Sequence, residues 1–313
     1  MKIPFPIPEE IKTWKKYQKA LSIIERLKQN GFQAFFVGGT VRDMVLKKDI
    51  NELKDLDIAS SAKPEEIGKI FRRCKKVGAK FGVMIVYMGR DFFEVATFRK
   101  DEEYDGRRPK RVVYVDAKED VLRRDFTING LLLDPFEEVI YDYVNGMKDI
   151  ENKLVRAIGD PIERFQEDHL RMLRAIRFSC QLNFKIHPNT YSAIIQKAAK
   201  ILEISKERIK EEFWKIFNSP FPEEGLFHLF QTGLIKYILP EAYSIWAGKE
   251  EEFKEFAKSL KNSKEPALFL ALLLKDYAWK RTFSLLRERF RVDNETAKKV
   301  EEILKLHPQY LQN

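Results

Sequence analysis

Cysteine is scarce in this sequence, which has only Cys74 and Cys180 among its 313 residues. Two cysteines are too few for a disulfide framework, and no CxxC pair or histidine cluster suggests a zinc site. Long apolar runs are also missing, because none approaches the roughly 18 to 20 residues that span a bilayer. The N-terminal segment MKIPFPIPEE lacks the apolar stretch of a signal peptide. We therefore expect a cytoplasmic protein with no membrane partner.

The charge balance is informative, because basic residues are in excess. Lys and Arg outnumber Asp and Glu by 57 to 48, which gives a formal net charge of +9 and a pI near 9.2. A basic balance favours a polyanionic partner such as nucleic acid, although a soluble surface rich in Lys and Glu explains the composition equally well. With 44% hydrophobic residues the chain can bury a core, and its 313 residues suffice for two or three domains.

The apolar pattern divides the chain into a mixed part and a helical part. Residues 9–29 predict an amphipathic helix that Gly31 caps. Helical patterns also begin near Pro64 and Arg123, among short β-rich segments at 32–37, 55–59, 83–88, 92–98 and 112–116. Beyond residue 153 the strand signals stop, and helical periodicity continues at 162–182, 189–203, 205–217 and 293–305. The predicted fold class is α+β, with a mixed head followed by an all-α remainder.

The segment GGTVRD (38–43) follows an apolar strand and opens a helix. Gly38 and Gly39 let the backbone approach a ligand closely, and a helix N-terminus offers free N–H groups to a phosphate. Arg42 could add a charged fork to a triphosphate. A turn of this kind is also often only structural.

Asp55 and Asp57 follow in the segment DLD, which is predicted to be a strand. Because strand side chains alternate, the two carboxylates should point to one face while Leu56 and Ile58 point into the core. Paired hard oxygen ligands at this spacing suit Mg²⁺, and two metal ions would activate an attacking hydroxyl and steady a leaving pyrophosphate. A solvated strand end gives the same triplet, but a glycine turn followed by DxD fits phosphoryl transfer.

Glu94 lies on another predicted strand, FFEVATF, with Phe93 and Val95 facing the other way. It could be a third carboxylate beside the metal ions, or equally an exposed strand residue paired with Arg99.

The segment RRDFTIN (123–129) places two arginines and an aspartate at the predicted start of a helix. There Arg124 could reach a triphosphate, whereas Asp125 could simply cap the helix.

The segment EDHLRMLRAIRF (167–178) is predicted to be helical throughout. Arg171, Arg174 and Arg177 recur every three residues, a spacing that precesses by about 60° per step on an ideal helix. Long side chains could still converge on one ligand from these positions. Alternatively, Glu167 and Arg171 form an i,i+4 pair that stabilises any exposed helix.

Together these motifs resemble those of the class II tRNA nucleotidyltransferase family, which includes CCA-adding enzymes and bacterial poly(A) polymerases. The resemblance covers residues 35 to about 217, through GGTVRD, DLDIASSAKPEE, FEVATFR, RRDFTIN, DYVNGMKDIENKLVRAIGDPIERFQEDHLRMLRAIRF and KERIKEEF. It implies a catalytic head of the DNA polymerase β superfamily over residues 1–150, a helical neck over 151–218 and a helical body over 219–313. Because the chain is shorter than many members, the tail is expected to be reduced or absent.

The resemblance also implies roles for individual residues. Asp55 and Asp57 are expected to bind the catalytic Mg²⁺. Contacts to the nucleotide are expected from Gly39, Arg42, Arg124, Asp168, Arg171, Arg174 and Arg177. In this family the Asp and the first Arg of an EDxxR motif choose the base, and here these are Asp168 and Arg171.

Base chemistry explains how such a pair would choose. Cytosine and adenine each present an amino donor beside a ring-nitrogen acceptor, whereas guanine and uracil present a carbonyl acceptor beside an N–H donor. The carboxylate accepts from the amino group and the guanidinium donates to the ring nitrogen. The pair therefore admits C and A and leaves charges unpaired against G and U. The expected activity is addition of C, A or both to the 3′ end of tRNA, from CTP and ATP.

Two features leave the product open. RKDEEYDGRRP (99–109) resembles the flexible loop of CCA-adding members, with one residue fewer between Tyr and Asp. Some organisms also divide the task between CC-adding and A-adding enzymes. VGAKFGVMIV (77–86) lacks the Arg-rich segment of the poly(A) polymerase branch and is closer to the tRNA branch. The alternatives are a bacterial poly(A) polymerase and a catalytically silent RNA-binding relative, against which the intact DLD argues.

Overall fold

The computed structural model describes residues 1–53, 55–77, 82–104, 109–259 and 265–310. The chain divides into two units, Met1–Asp160 and Pro161–Asn313, whereas the sequence predicted the first boundary at residue 150. Asp149 explains the difference, because it accepts hydrogen bonds from the Thr127 hydroxyl (2.7 Å) and from Nε of Arg156 (2.9 Å). The Thr127 N–H also donates to the carbonyl of Arg156. These bonds keep the residues up to Arg156 with the first unit.

The first unit is built on a mixed sheet. Its strands are β1 (Lys2–Pro4), β2 (Ala34–Val37), β3 (Ile58–Ser60), β4 (Cys74–Val77), β5 (Val83–Met88), β6 (Asp91–Thr97), β7 (Arg99–Tyr104), β8 (Pro109–Tyr114), β9 (Leu131–Asp134), β10 (Val139–Asp142) and β11 (Leu154–Val155). The main sheet has the order β1-β10-β9-β2-β3-β6-β5-β4. Among the strand pairs of this sheet that the structure describes, only β3–β6 is parallel.

The hairpin β7–β8 is separate from the main sheet. Its first strand covers residues 99–104 of the segment that resembles the flexible loop of CCA-adding members, so these residues are extended and paired with β8. Residues 105–108 lie outside the described part of the chain. The strand that was expected at 112–116 is present as the end of β8.

The helices of the first unit lie between these strands. They are α1 (Glu9–Thr13), α2 (Lys15–Gln29), α3 (Gly39–Val45), α4 (Pro64–Ile70), α5 (Ala117–Leu122) and α6 (Gly146–Glu151). Central strand β2 is buried at every position, as its continuous apolar sequence predicts. Phe36 of β2 stacks on Tyr17 of α2 with ring centroids 5.4 Å apart, which fixes the apolar face of α2 against the sheet.

The predicted helix 9–29 is interrupted at Trp14, whose backbone is extended. The Thr13 hydroxyl donates to the carbonyls of Glu9 and Glu10 at 3.1 and 3.2 Å, a local bond that competes with helix continuation. The predicted cap at Gly31 is confirmed. Gly31 has φ +83°, and the Phe32 N–H donates to the carbonyl of Leu27, which is the bond of a Schellman motif.

The second unit is almost entirely helical. Its helices are α7 (Pro161–Glu167), α8 (Arg171–Leu182), α9 (Pro188–Lys197), α10 (Lys206–Phe217), α11 (Pro222–Gln231), α12 (Leu234–Ile238), α13 (Pro240–Trp246), α14 (Glu250–Ser259), α15 (Pro266–Leu273), α16 (Trp279–Phe290) and α17 (Asn294–Tyr310). A short strand, β12 (Lys185–Ile186), was not predicted. A 3₁₀ helix continues α9 over Ala198–Glu203.

An aromatic cluster forms much of the core of the second unit. Phe213 of α10 packs edge-on against Phe290 of α16, with ring centroids 4.7 Å apart. Phe217 of α10 lies 4.3 Å from Phe269 of α15 by the same measure. Aromatic pairs of this geometry add to the stabilisation that comes from buried area. They hold α10, which carries Arg208 and Glu212, in place.

No helix in the described ranges is long and apolar enough to cross a bilayer.

Candidate active site

The glycine turn lies directly between β2 and α3. Gly38 has φ +64° and ψ −131°, a conformation that residues with a Cβ atom rarely adopt. A Cβ atom on Gly38 would lie 3.3 Å from Nη1 of Arg124, and one on Gly39 would lie 3.4 Å from Nη2 of Arg42. The turn therefore lets two guanidinium groups come close to the backbone.

The DLD segment precedes a strand rather than forming one. β3 begins at Ile58, so the prediction of Asp55 and Asp57 on a strand is wrong in this respect. The alternation of side chains is nevertheless as predicted, because Leu56 and Ile58 are buried, Asp55 is exposed and Asp57 is half-buried. Both carboxylates thus remain on the side of the segment that faces away from the core.

Thr40 explains why the segment stays outside the strand ladder. Its buried hydroxyl donates to the carbonyl of Asp55 (3.1 Å) and accepts from the N–H of Asp57 (2.8 Å). The hydroxyl therefore bonds one backbone carbonyl and one backbone N–H that would otherwise need partners on a neighbouring strand. The glycine-turn motif and the two aspartates are joined through this one hydroxyl group. Sequence reasoning missed Thr40, since nothing in the local pattern shows which backbone it will meet.

Negative charge accumulates around Asp57. Burial raises its pKa to about 6, together with the carboxylates of Glu94 and Asp55, while Arg124 and Arg42 act in the opposite direction. Glu94 is close because Ile58 and Val95 are paired in the parallel β3–β6 ladder, so the preceding residues, Asp57 and Glu94, are neighbours. Both neighbours point away from the buried Ile58 and Val95.

This arrangement fits a divalent cation. Hard carboxylate oxygens are the ligands that Mg²⁺ prefers, and a cation would offset the burial and the repulsion that together raise the pKa of Asp57. Within the described ranges, no group of three His, Cys, Asp or Glu side chains has an arrangement that could hold a metal ion. The expectation of metal binding therefore rests on Asp55 and Asp57, and Glu94 acts on the site through its charge.

Arg42 is buried and connects two of the sequence motifs. Its Nη1 donates to Oδ1 of Asn129 (2.6 Å) and its Nε donates to Oδ1 of Asp43 (2.9 Å). Asn129 in turn donates from Nδ2 to Oδ1 of Asp125 (3.1 Å). GGTVRD and RRDFTIN are thus parts of one buried polar network, in which each bond helps to orient Arg42.

The helix that was expected to begin near Arg123 ends there instead. α5 begins after Asp116, whose side chain accepts from the N–H of Glu119 at 2.8 Å, and Arg123 is its C-cap. Asp125 is therefore not a cap of the expected helix. Its carboxylate accepts from the N–H of Phe126 and from Asn129, and a short 3₁₀ helix, Thr127–Asn129, follows.

Arg124 is held by Asp120, a second residue that sequence reasoning missed. Nη2 of Arg124 lies 2.9 Å from Oδ2 of Asp120, and Nη2 of Arg123 lies 2.7 Å from Oδ1. Asp120 is buried, yet its pKa stays below the ordinary value, because the two guanidinium groups outweigh the effect of burial. The i,i+4 spacing of Asp120 and Arg124 was a sequence signal that could have found this pair.

The predicted helix 162–182 is broken where Asp168 lies. α7 ends at Glu167 and α8 begins at Arg171. Oδ1 of Asp168 accepts from the N–H of Leu170 (3.1 Å), and Oδ2 accepts from Nη2 of Arg208 on α10 (2.8 Å). A short acidic side chain that bonds the nearby backbone in this way competes with helix formation. Asp168 thus stands at a bend rather than on the face of a continuous helix.

The first arginine of α8 has partners on α7. Nη1 of Arg171 donates to Oε2 of Glu167 and to the carbonyl of Arg164, the latter at 3.0 Å. The Glu167–Arg171 pair, which was expected if the arginine only stabilises the helix, is therefore present. It also holds the guanidinium group beside the bend that carries Asp168.

Arg174 and Arg177 follow on α8 with different surroundings. Arg174 is half-buried, with its guanidinium carbon 5.5 Å from the centroid of the Phe178 ring. Arg177 is buried and pairs with Glu212 of α10, with Nε 3.2 Å from Oε2. Arg177 therefore forms an ion pair that anchors α8 to α10. The nucleotide contact that was expected of Arg177 stays a prediction.

The predicted site residues fall into two groups. The first unit brings together Gly39, Arg42, Asp55, Asp57 and Arg124. The second unit brings together Asp168, Arg171, Arg174 and Arg177 near the start of α8, with Arg208 and Glu212 of α10 as their partners.

Comparison with known proteins gives the family of this fold and site. A model of the poly A polymerase head domain matches residues 34–156, and a model described as the probable RNA and SrmB-binding site of polymerase A matches residues 183–245. The first match includes the glycine turn, the DLD segment and RRDFTIN. These matches define a nucleotidyltransferase-type head followed by a helical part that is similar to the probable RNA-binding region of polymerase A.

The similar proteins are CCA-adding enzymes. The chain is 42% identical over 262 residues to the CCA-adding enzyme of Streptococcus gordonii, covering 82% of this chain and 64% of that protein. It is 39% identical over 296 residues to that of Streptococcus sanguinis, covering 93% of this chain and 71% of that protein. The crystal structure of the Bacillus stearothermophilus CCA-adding enzyme with CTP superposes with a TM-score of 0.69 at 30% identity, covering 96% and 84% of the two chains.

The chain belongs to the family of CCA-adding enzymes and poly(A) polymerases, the class II tRNA nucleotidyltransferases. It spans less than two thirds of the length of the Streptococcus gordonii relative, 64%.

Proposed function

We propose that this protein adds C, A or both to the 3′ end of tRNA from CTP and ATP, releases pyrophosphate, and uses Mg²⁺ held by Asp55 and Asp57. The observation that carries this proposal is the convergence of the Gly38–Gly39 turn, Arg42, Arg124 and the two aspartates in the first unit. The similarity to CCA-adding enzymes supports tRNA as the acceptor. Because tRNA maturation takes place there, we expect the protein in the cytoplasm.

The first unit would perform the phosphoryl transfer. Arg42 and Arg124 would bind triphosphate oxygens, because guanidinium groups form charge-assisted hydrogen bonds with phosphate. Their own partners, Asn129 and Asp120, hold them in position before the nucleotide arrives. Mg²⁺ bound by Asp55 and Asp57 would favour deprotonation of the attacking 3′-hydroxyl and neutralise charge on the leaving pyrophosphate. Pre-oriented groups of this kind stabilise the transition state without reorganisation.

The second unit would select the base. We infer that Asp168 accepts from the amino group of C or A, and that Arg171 donates to the adjacent ring nitrogen. Asp168 already accepts from Leu170 and Arg208, but a carboxylate has about four lone-pair sites and can accept another bond. Arg208 and Glu167 would then fix the two selecting side chains. We also infer that this unit comprises a helical neck up to residue 218 and a body over 219–313.

The decisive test is nucleotide addition to tRNAs that end before the first C, after C, or after CC. A CCA-adding enzyme extends all three, a CC-adding enzyme the first two, and an A-adding enzyme only the last.

Asp55→Ala and Asp57→Ala should each reduce incorporation at least about a thousandfold, since electrostatic groups at the reacting centre have effects of this order. tRNA binding should persist. The exposed Glu119→Ala on α5 is the control. Near-normal turnover of either aspartate variant with Mg²⁺ would contradict the metal assignment.

A bacterial poly(A) polymerase is the second candidate, because the matching head model carries that description. Competition between tRNA lacking its 3′ end and an unrelated RNA separates the two. Preference for the truncated tRNA supports tRNA end addition, and equal use with long A-tracts supports the polymerase. Absence of all incorporation with intact RNA binding would indicate a catalytically silent RNA-binding relative.

A further inference from the structure

Two aromatic side chains lie exposed on the sheet of the first unit. Tyr87 on β5 and Phe92 on β6 are direct cross-strand partners, and 36% and 56% of their surfaces are exposed. Side chains that are directly opposite in an antiparallel pair share a face and have Cβ atoms about 5 Å apart. The two rings therefore form one exposed aromatic pair. Adjacent exposed rings form a contiguous apolar patch, and such patches mark contact surfaces, whereas single exposed rings do not.

The aromatic pair is continuous with the candidate active site. Along β6, Phe92 precedes Glu94 by two residues, so both point to the same face, and they are about 7 Å apart along the strand. Glu94 is in turn the neighbour of Asp57 across the β3–β6 ladder. The buried Phe93 and Val95, on either side of Glu94 in the strand, point to the opposite face. One open face of the sheet thus carries the carboxylates and, one row away, the two aromatic rings.

The edge of this face is basic. Lys75 on β4 pairs with Ile85, which pairs with Glu94, so Lys75 lies on the same face. The Tyr87 N–H donates to the carbonyl of Arg73 at 2.9 Å, which places Arg73 beside the aromatic pair. Both basic residues are exposed. Cations that flank aromatic rings on an open sheet suit a ligand with flat rings and a negative backbone.

We propose that Tyr87 and Phe92 form a stacking surface for the last bases of the single-stranded RNA 3′ end, with Arg73 and Lys75 along its phosphates. Bases stack on exposed aromatic side chains of open sheets, and flanking basic residues follow the backbone. The surface would guide the terminal hydroxyl toward Asp55 and Asp57. This inference rests on the proposed function, because it takes the RNA 3′ end as the acceptor.

The test uses an RNA acceptor stem with the fluorescent base 2-aminopurine near its 3′ end. Stacking on the aromatic pair should quench the probe when RNA binds the wild-type protein. Phe92→Ala and Tyr87→Ala should each abolish most of this quenching and weaken RNA binding roughly 5- to 100-fold, as loss of one stacked base does. The KM for CTP and ATP should not change. Phe92→Tyr and Tyr87→Phe keep an aromatic face and should behave like the wild type, whereas Phe92→Leu should not.

Matched controls come from the same unit. Phe136 lies between β9 and β10 and Tyr143 follows β10, and these strands are separated from β6 by β2 and β3. The two side chains are 49% and 37% exposed, so Phe136→Ala and Tyr143→Ala should leave quenching and RNA affinity unchanged. Unchanged quenching and affinity in Phe92→Ala and Tyr87→Ala would overturn the stacking surface, as would equal losses in the controls. RNA binding and quenching of the probe do not require nucleotide transfer. A wild-type protein that quenches the probe but incorporates no nucleotide would therefore overturn the proposed function and leave the stacking surface standing.

Discussion

The hydroxyl of Thr40 is the smallest group on which the geometry of the candidate site depends. Thr40→Val keeps the shape of the side chain but removes its bonds to the Asp55 carbonyl and the Asp57 N–H. A buried backbone group that loses its partner costs about 1–3 kcal/mol. We expect a lower free energy of unfolding in urea by that amount, and weaker binding of Mn²⁺ as a spectroscopic substitute for Mg²⁺.

The matched variant for this prediction is Thr40→Ser, which retains the hydroxyl and should restore both properties. Nucleotide addition by Thr40→Val should require more Mg²⁺, with little change in the KM for RNA. A valine variant with normal metal binding would show that Thr40 supports the fold without positioning the carboxylates.

Asp168 and Arg171 provide the second test at the scale of single residues. Asp168→Ala removes the acceptor for the amino group of C or A, so discrimination against UTP and GTP should fall. Each lost charged hydrogen bond should cost about 1.5–3 kcal/mol, or roughly ten- to a hundredfold in selectivity. The measurement is kcat/KM for all four nucleoside triphosphates in the wild type, Asp168→Ala and Arg171→Ala.

A purely structural role makes a different prediction for the same variants. The Glu167–Arg171 and Asp168–Arg208 pairs would then contribute only a few tenths of a kcal/mol to stability, as partly exposed pairs do. Glu163→Ala, on the exposed side of α7, touches neither the selecting atoms nor their partners and is the control. Unchanged nucleotide ratios with full activity in Asp168→Ala would refute the selecting role.

At the scale of elements, helix α5 positions Arg124 through Asp120. The pKa of Asp120 lies below its ordinary value of 3.8 although the group is buried, because Arg124 and Arg123 stabilise its charged form. A lowered pKa in the folded state means that the stabilisation is complete above the unfolded pKa and disappears as pH falls through the folded pKa. Asp120→Asn should therefore destabilise the protein by about 3 kcal/mol at neutral pH, as removal of one partner from a buried ion pair does.

The pH dependence distinguishes this ion pair from simple packing. The difference in free energy of unfolding between wild type and Asp120→Asn should be constant from neutral pH to about pH 5 and shrink below about pH 4. Glu119→Gln, on the exposed side of α5, should show no such difference. A destabilisation that does not change with pH would mean that Asp120 contributes shape rather than charge.

Two element predictions failed for one common reason. The DLD segment was predicted to be a strand and 162–182 a continuous helix, but Thr40 bonds the backbone around Asp57, and Asp168 bonds the backbone at Leu170. Polar side chains that bond the main chain compete with regular structure. The apolar periodicity was right in both places, since Leu56, Leu173 and Ile176 are buried as expected. Periodicity reports which side is buried and is insensitive to such local interruptions.

At the scale of the whole molecule, the formal net charge of +9 predicts a binding mode dominated by phosphates. RNA binding should weaken about tenfold or more between roughly 50 and 200 mM salt, because bound phosphates release their counterions. A plot of log affinity against log salt concentration gives the number of phosphate contacts. Affinity that is flat over this range would indicate a partner that is not a polyanion.

The sequence by itself determined the mixed head and the helical remainder, and it singled out the candidate residues that the first unit brings together, because these follow from local motifs and from periodicities of two and 3.6 residues. Only the tertiary structure decided what holds these residues: Thr40 for the DLD segment, Asn129 for Arg42, and Arg208 for Asp168. Strand register decided that Tyr87 lies opposite Phe92 and that Glu94 lies beside Asp57. Bonds and register between segments far apart in the chain leave no trace in local periodicity, so only folding reveals them.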